Sequence, residues 1–369
     1  MTQRPCWERC INHRGPAAEA FVREYFDHSD RKIMLIAGAG FDHRSTRFAQ
    51  VLRDAGKDRV SGFFLREERP APDKNLLATA TENERLLQQL FPGCTVEHFD
   101  IFAVDNAPVG GRQVLKLLNA KLNLTGLTDL VLDCSALSVG VCFSIAKYCY
   151  ERGRSLGSQL NVHLVVIDDP ETDASIVSTH CGKPSAPHGF QGSWTLDASS
   201  RAARLWIPQL GRGKRPVLEL VHQFVTPHAV CPILPFPATH PRFPDSLIEE
   251  YGDLFETPWQ VDARDLVYAH EKSPLDLYRT ILRIDDARRR VFEGMGGSQV
   301  ILSPVGSKAL ALGMLMAALD REFAVVLVEA LTYKLMVDAA LGQAEPRGEL
   351  VHIWLHGEAY GILGVNEGT

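Results

Sequence analysis

The 369-residue sequence has no long apolar run: its longest, residues 309–319, reaches about eleven residues, where a membrane-spanning helix needs roughly 20. No bilayer crossing is expected. Cysteine is also scarce, with eight across the chain, too dilute for a disulfide framework. Cys134, Cys142 and Cys149 sit in or beside apolar stretches where free thiols pack, so reduced, structural cysteines are expected. Charge of one sign is missing as well. Against 39 basic side chains stand 45 acidic ones, a net charge of −6, and the basic residues are dispersed apart from short runs at 212–215 and 288–290. The second run lies beside Asp285 and Asp286 and reads as a solvated helix face with local charge pairs. Extended nucleic-acid duplex binding rests on many phosphate contacts and does not suit this balance, whereas a small anionic nucleotide does. The opening MTQRPCWERCINHRG lacks the apolar core of about 7–15 residues that a secretory signal requires, so a cytoplasmic location is expected.

What is present is an ordinary globular composition, 45% hydrophobic and 23% charged, on a chain long enough for two or three folded units. Short apolar runs end in Gly, Ser or Asp turns and lead into stretches of helical period. In the first half, strands are expected at 32–37, 60–65, 95–101, 129–132 and 162–167, with helices at 45–55, 75–90, 111–122 and 139–152. Runs this apolar suit strands buried on both faces, so the alternation is that of a doubly wound parallel sheet. Between 169 and 228 the rhythm breaks into Gly, Pro, Ser and His, which marks a junction. A second series follows, with strands at 230–234, 266–269, 299–303, 324–329 and 350–354 and helices at 244–251, 275–292, 307–319 and 333–341. The expected fold is α/β, with two Rossmann-like lobes whose mainly parallel sheets are flanked by helices. Residues 1–30 form an N-terminal arm and helix, 31–168 the first lobe, 169–228 the junction and 229–369 the second lobe. The proline-rich stretch 231–244 is too dense in proline for a central strand and should run as an extended loop.

Two strand ends carry the strongest site signals. In IMLIAGAGFDHRSTRF, a buried strand runs into Gly38, Ala39 and Gly40, then Asp42, His43, Arg44, Ser45 and Arg47, where a helix starts. The glycines let backbone approach a ligand, Ser45 is placed as an N-cap, and Arg44 and Arg47 offer forked donors to a phosphate or carboxylate. The dinucleotide fingerprint wants a third glycine where this chain has His43, so no nicotinamide or flavin cofactor is expected. The alternative is a tight turn with both arginines solvated. In VILSPVGSKALALGMLMAAL, a strand ends at Ser303, and Gly306, Ser307 and Lys308 lead into a helix. A cation in a helix's first turn opposes the macrodipole unless an anion lies between them, which points to a bound phosphate or carboxylate. The alternative is a lysine stem that reorients away from the turn.

Asp133, Cys134, Ser135 and Ser138 close a third strand. Asp133 is placed for a polar ligand contact or general acid/base work, and Ser138 for an N-cap. Cys134 would need a neighbouring base to act as a nucleophile. Asp168 with Asp169, and Glu329 with Tyr333, are further candidates to line a cleft or cap a helix. Cys6, Cys10 and His13 lie close together, but zinc normally takes four ligands, and only His180, Cys181 and His188 could complete a set in space. No metal site is assigned.

The segment QVILSPVGSKALALGMLMAALDREFAVVLVEA, residues 299–330, resembles the corresponding stretch of the CRISPR-associated Rossmann-fold sensor domains. The related SAVED domains of prokaryotic anti-phage systems look like two such domains fused. The resemblance implies that the loop bearing Ser303, Gly306, Ser307 and Lys308 contacts a cyclic oligonucleotide or related nucleotide. Such sensors usually carry a nuclease or winged-helix effector, and no separate effector segment is visible here. That favours a partner protein, a homo-oligomer, or an activity within the Rossmann-like units.

Three functions therefore stand at this point. The first is a cytoplasmic protein that binds a small anionic, nucleotide-type ligand through Gly38, Gly40, Asp42, Arg44, Ser45, Arg47, Ser303, Gly306, Ser307 and Lys308, as sensor or subunit of a prokaryotic defence or signalling system. The second is a nucleotide or sugar-phosphate hydrolase or transferase, with Asp42 or Asp133 as acid/base and Lys308 stabilising developing charge. The third is a scaffold that meets a partner protein through 231–244.

Overall fold

Ile33–Gly38 has no side chain that must face water, and it lies inside a seven-stranded sheet. Its parallel neighbours are Val60–Glu68 on one side and Asp129–Asp133 on the other. Beyond these the sheet continues in parallel to Thr95–Asp100 and to Asn161–Asp168. Helices Arg44–Gly56, Lys74–Leu90, Gly110–Lys121 and Val139–Leu156 make the four crossovers. Lys74–Leu90 starts where the Asp73 side chain accepts hydrogen bonds from the Asn75 and Leu76 amides. The chain adds strands outward from Ile33–Gly38 in one direction and then returns to build in the other. A topological switch point therefore lies between the carboxyl ends of Ile33–Gly38 and Asp129–Asp133.

The computed structural model describes residues 4–192, 202–336 and 348–361. The chain divides into two units, Arg9–Thr179 with the chain from Ala330 onward, and His180–Glu329 with the residues before Arg9. Both are Rossmann-like α/β units with mainly parallel sheets flanked by helices. The boundaries differ from the expected lobes at three places. Residues 350–354, expected in the second lobe, belong to Glu349–His356, which pairs antiparallel with Asn161–Asp168 in the seven-stranded sheet. Asn12–Arg14 then pairs antiparallel with Glu349–His356 as the edge strand. An apolar run records burial and not its partner, so its sheet could not be read from periodicity. The stretch 169–228 is no mere junction, because it holds the strand Ala203–Pro208 and the helix Arg215–Val225. Of the expected helix 333–341, Tyr333 to Leu335 lie in the strand Leu327–Leu335, and 337–341 fall outside the described residues.

The second unit is built on a parallel four-stranded sheet in the order Ala324–Val325, Ser298–Ser303, Ala203–Pro208, Ala229–Val230. Arg215–Val225 buries Val217, Leu218, Val221 and Val225 in one cluster with Trp206 and Ile301. Lys308–Arg321 packs instead on Pro274–Phe292, and Tyr278 Oη donates to Asp320 Oδ2 at 2.5 Å between them. Ala203–Pro208 leads through Arg215–Val225 to the strand on one side of it, while the later strand Ser298–Ser303 enters on the other. This sheet too has a switch point, between Ala203–Pro208 and Ser298–Ser303. The start of the proline-rich stretch, expected as a loop, runs beside the sheet: the Cys231 amide donates to the Trp206 carbonyl at 2.9 Å and the Leu210 amide to the Ile233 carbonyl at 3.2 Å. Its Ile233–Pro235 segment makes a short parallel pair with Val267–Ala269. No helix among the described residues is long and apolar enough to cross a membrane.

Candidate functional site

At the switch point of the seven-stranded sheet, Gly38 stands close against another loop. A Cβ there would lie 3.0 Å from the Ala136 carbonyl carbon and 3.1 Å from the Leu137 side chain, and one on Gly40 would lie 3.5 Å from the Ala136 oxygen. The residues that follow turn inward. Arg44 is 1% exposed, and its Nε and Nη2 donate to Asp42 Oδ1 and Oδ2 at 3.0 and 2.7 Å. Nη2 also donates to Asp173 Oδ1 at 2.7 Å, and Nη1 to the Ile167 carbonyl at 3.3 Å. Burial works against this guanidinium's charge, but Asp42 and Asp173 more than offset it, and its pKa is raised. Arg44 is thus a buried structural cation, neither a forked donor to a ligand nor a solvated side chain. Ser45 donates to the Asp42 and Gly40 carbonyls at 2.7 and 3.2 Å, and His43, not Ser45, occupies the cap position. Arg47 is half-buried.

The helix starts along this edge receive their negative charge from the protein itself. Asp42 Oδ1 accepts from the Arg44 amide at 2.9 Å, Glu67 Oε1 from the Ser138 amide at 2.8 Å, and Asp169 Oδ1 from the Thr172 amide at 3.1 Å. Internal carboxylates stand where an anionic ligand would bind. Ser138 is the cap residue, but its side chain makes no capping bond. Asp133 is 1% exposed, and its Oδ1 accepts from the Ser135 amide at 2.9 Å and hydroxyl at 2.5 Å. Ser135 Oγ in turn accepts from the Ile167 amide at 2.8 Å. Asp133 organises a loop, and Cys134 is buried beside it. Asp168 accepts from Arg14 at 2.5 Å, and Tyr333 lies under the Arg69 guanidinium, 4.8 Å from ring centroid to carbon.

The switch point of the four-stranded sheet is built differently. Two loops, one after Ala203–Pro208 and one after Ser298–Ser303, meet through glycines: a Cβ on Gly211 would lie 3.2 Å from Gly306 Cα, and one on Gly306 would lie 2.5 Å from Gln209 Nε2. That amide donates to the Ser307 carbonyl at 3.1 Å, which fixes its orientation and makes Oε1 the acceptor end. Gln209 is 1% exposed, and its Oε1 has no hydrogen-bond partner among the described residues. Ser307 caps the helix Lys308–Arg321, its Oγ accepting from the Leu310 amide at 3.3 Å. Lys308 is the first residue of that helix, and Lys214 directly precedes Arg215–Val225. Two helices of 11 and 14 residues therefore start from touching loops, each with a lysine where the macrodipole is positive. Here too the pKa of His180 is lowered, to about 4, by burial first and by the Lys214 charge second, so this histidine is neutral near pH 7.

Of the expected residues, Gly306, Ser307 and Lys308 come together here. Ser303 does not join them as a ligand contact. It is fully buried, donates to the Val326 carbonyl at 2.7 Å and accepts from Trp206 Nε1 at 2.9 Å, stitching strand to strand. Gln209, Gly211 and Lys214 went unrecognised in the sequence. Their signal was the apolar run LWIP followed by QLGRGK, the same order of strand, small residues and lysine as in VILSPVGSK. Among the described residues no group of three or more His, Cys, Asp or Glu side chains is arranged to hold a metal ion. Cys6 is exposed with its amide on Asp320, His13 bonds to His352, and the Cys181 side chain lies outside the described residues.

No protein-family model matches the sequence, and no curated protein matches it. Among solved structures, the chain is similar to that of a candidate universal stress protein from Pseudomonas aeruginosa UCBPP-PA14, with 9% identity over 83% of this chain and 95% of that one. The TM-score is 0.26, and at that level the likeness supports nothing about fold or function.

Proposed function

We infer that the four-stranded unit binds a small anionic, nucleotide-type ligand at its switch point, and that the protein acts as a sensor or subunit in a prokaryotic defence or signalling assembly. The observation that carries the binding is the pair of glycine-bearing loops at Gly211 and Gly306, from which two helices start with Lys214 and Lys308. In an open parallel sheet the carboxyl ends at the switch point are where ligands bind, and helix starts with added cations favour phosphate. The seven-stranded unit meets the same demand with Asp42, Glu67 and Asp169, which leaves the four-stranded unit as the better anion site. The assembly role rests on the resemblance of residues 299–330 to nucleotide-sensing domains. A partner protein or a second copy would supply the output.

A hydrolase or transferase reading has less support, because Asp42 is held by Arg44 and Asp133 by Ser135. The test is isothermal titration of the full chain with mononucleotides, dinucleotides and cyclic di- and oligonucleotides, preceded by a thermal-shift screen. A ligand that binds only the native state raises the unfolding temperature by mass action. Saturable binding that Lys308→Ala weakens supports the reading. Absence of any thermal shift across the panel overturns it.

A further inference from the structure

A row of buried polar side chains crosses four neighbouring strands of the seven-stranded sheet, far in sequence from the loops above. His13 on the edge strand lies directly opposite His352, and their Nδ1 atoms are 3.1 Å apart. His352 Nε2 is 2.9 Å from His163 Nδ1, and His163 Nε2 is 3.2 Å from Asp129 Oδ1. His352, His163 and Asp129 have no exposed surface, while His13 at the end of the row is partly exposed. Helix Pro16–Phe26 covers the row with aromatic rings: Phe21 stacks 4.4 Å from both His13 and His352, and Phe26 lies 5.4 Å from His163. Trp354 adds a contact 4.8 Å from His163. The other charged or titratable groups gather at the Asp129 end. Tyr25 donates to Asp129 at 2.9 Å, Arg31 lies 3.8 Å from Asp129 and 2.6 Å from Glu358, and the Thr128 hydroxyl donates to Asp129 Oδ2 at 2.6 Å.

The hydrogen-bond chemistry of the row allows one proton pattern. An ionised Asp129 can only accept, so His163 carries its hydrogen on Nε2. His163 Nδ1 is then an acceptor for His352 Nε2–H, and His352 Nδ1 an acceptor for His13 Nδ1–H. This leaves His13 Nε2, at the partly exposed end, as the unprotonated nitrogen of the row.

We propose that the row is a proton-uptake site in which a proton taken from solvent at His13 is delivered to the buried His163–Asp129 pair. Hydronium gives a proton to His13 Nε2, forming one N–H bond. The Nδ1 hydrogen of His13 passes to His352 Nδ1, and the Nε2 hydrogen of His352 passes to His163 Nδ1. Each transfer breaks one N–H bond and forms another. The charge ends on the His163 imidazolium beside the Asp129 carboxylate, and His13 and His352 are again neutral with exchanged tautomers. Every nitrogen contact in the row keeps its hydrogen bond, with direction reversed and heavy atoms in place. A second proton would set N–H against N–H between adjacent rings, so the row holds one. Burial and the neighbouring histidines hold the His352 pKa well below its ordinary value, and burial lowers that of His13, in keeping with rings that relay a proton without retaining it.

The test is a pH series of ring 1H–15N spectra on the full chain with 15N-labelled histidine, from pH 8 to the onset of acid unfolding. The expected result is an imidazolium at His163 and concerted tautomer exchange at His13 and His352, one proton for three rings. In His352→Phe, His13 should titrate alone and His163 should stay neutral over the same range. An imidazolium that stays at His13 or forms at His352 in the wild type, or no titration in the row before unfolding, overturns the proposal. The wild-type spectra decide the matter by themselves if the variant does not fold.

Discussion

Arg44 closes on Asp42, two residues before it in the chain, with both carboxylate oxygens engaged and the guanidinium out of solvent. The pair turns a loop that looks anion-seeking into a self-neutralised corner. Removing one partner of a buried ion pair typically costs about 3–5 kcal/mol, because the other charge is left uncompensated. Arg44→Ala should therefore lower stability by about that amount in urea unfolding, with Asp42 and Asp173 stranded. Affinity for an anionic ligand, measured on the folded fraction, should not change.

Lys308→Ala should behave in the opposite way. A hydrogen bond to a charged group contributes about 1.5–3 kcal/mol, so nucleotide affinity should fall about tenfold or more. Stability read from denaturant midpoints should change by no more than about 1 kcal/mol, the usual size of one surface charge's interaction at a helix end. Calorimetric titration and denaturant midpoints on the same preparation separate the two effects.

Acid should weaken the seven-stranded unit. The pKa values of His352 and His13 lie below their ordinary value in the folded chain, so the unfolded chain binds more protons below about pH 6.5. Stability is complete above that value and is lost as pH falls. With His352 and His13 neutral in the folded chain and both protonated in the unfolded one, the two-proton difference gives a slope of at most about 2.7 kcal/mol per pH unit. Burial opposes the charge of Asp129, yet the hydrogen bond and charge of His163 leave its pKa lowered, which extends the loss below about pH 4. Denaturant midpoints from pH 8 to 4 give this slope. A midpoint that does not move across that range would contradict it.

Gly313→Ala should destabilise, although alanine is the better helix former by about 1 kcal/mol. A Cβ at this position would lie 2.3 Å from the Pro274 carbonyl oxygen, which is backbone and cannot rotate away. The helices Lys308–Arg321 and Pro274–Phe292 would have to separate, at a cost of about 1–3 kcal/mol. Thermal unfolding should show a lower transition temperature.

Much of the fold was legible in the chain. Strands such as Ile33–Gly38 and Val60–Glu68 announce themselves because burial on both faces demands unbroken apolar runs, and the helices between them carry the complementary period. Ala203–Pro208 was missed because its apolar core, LWIP, is short and sits amid glycine and proline. The candidate site was half legible: Gly306, Ser307 and Lys308 lie on one loop, whereas Gln209, Gly211 and Lys214 reach it from a strand about a hundred residues earlier. The histidine row was not legible at all, since His13, Asp129, His163 and His352 share no local pattern.

The sequence by itself determined the α/β class, the places of most strands and helices, and the absence of an apolar run long enough for a membrane-spanning helix, because these follow from local periodicity and the length of apolar runs. Tertiary structure alone decided which residues face one another. It turned Arg44 onto Asp42 and Asp173, brought Gly211 against Gly306, and laid His352 between His13 and His163. Pairing across hundreds of residues is set by strand order and register, and neither quantity is written in any single segment of the chain.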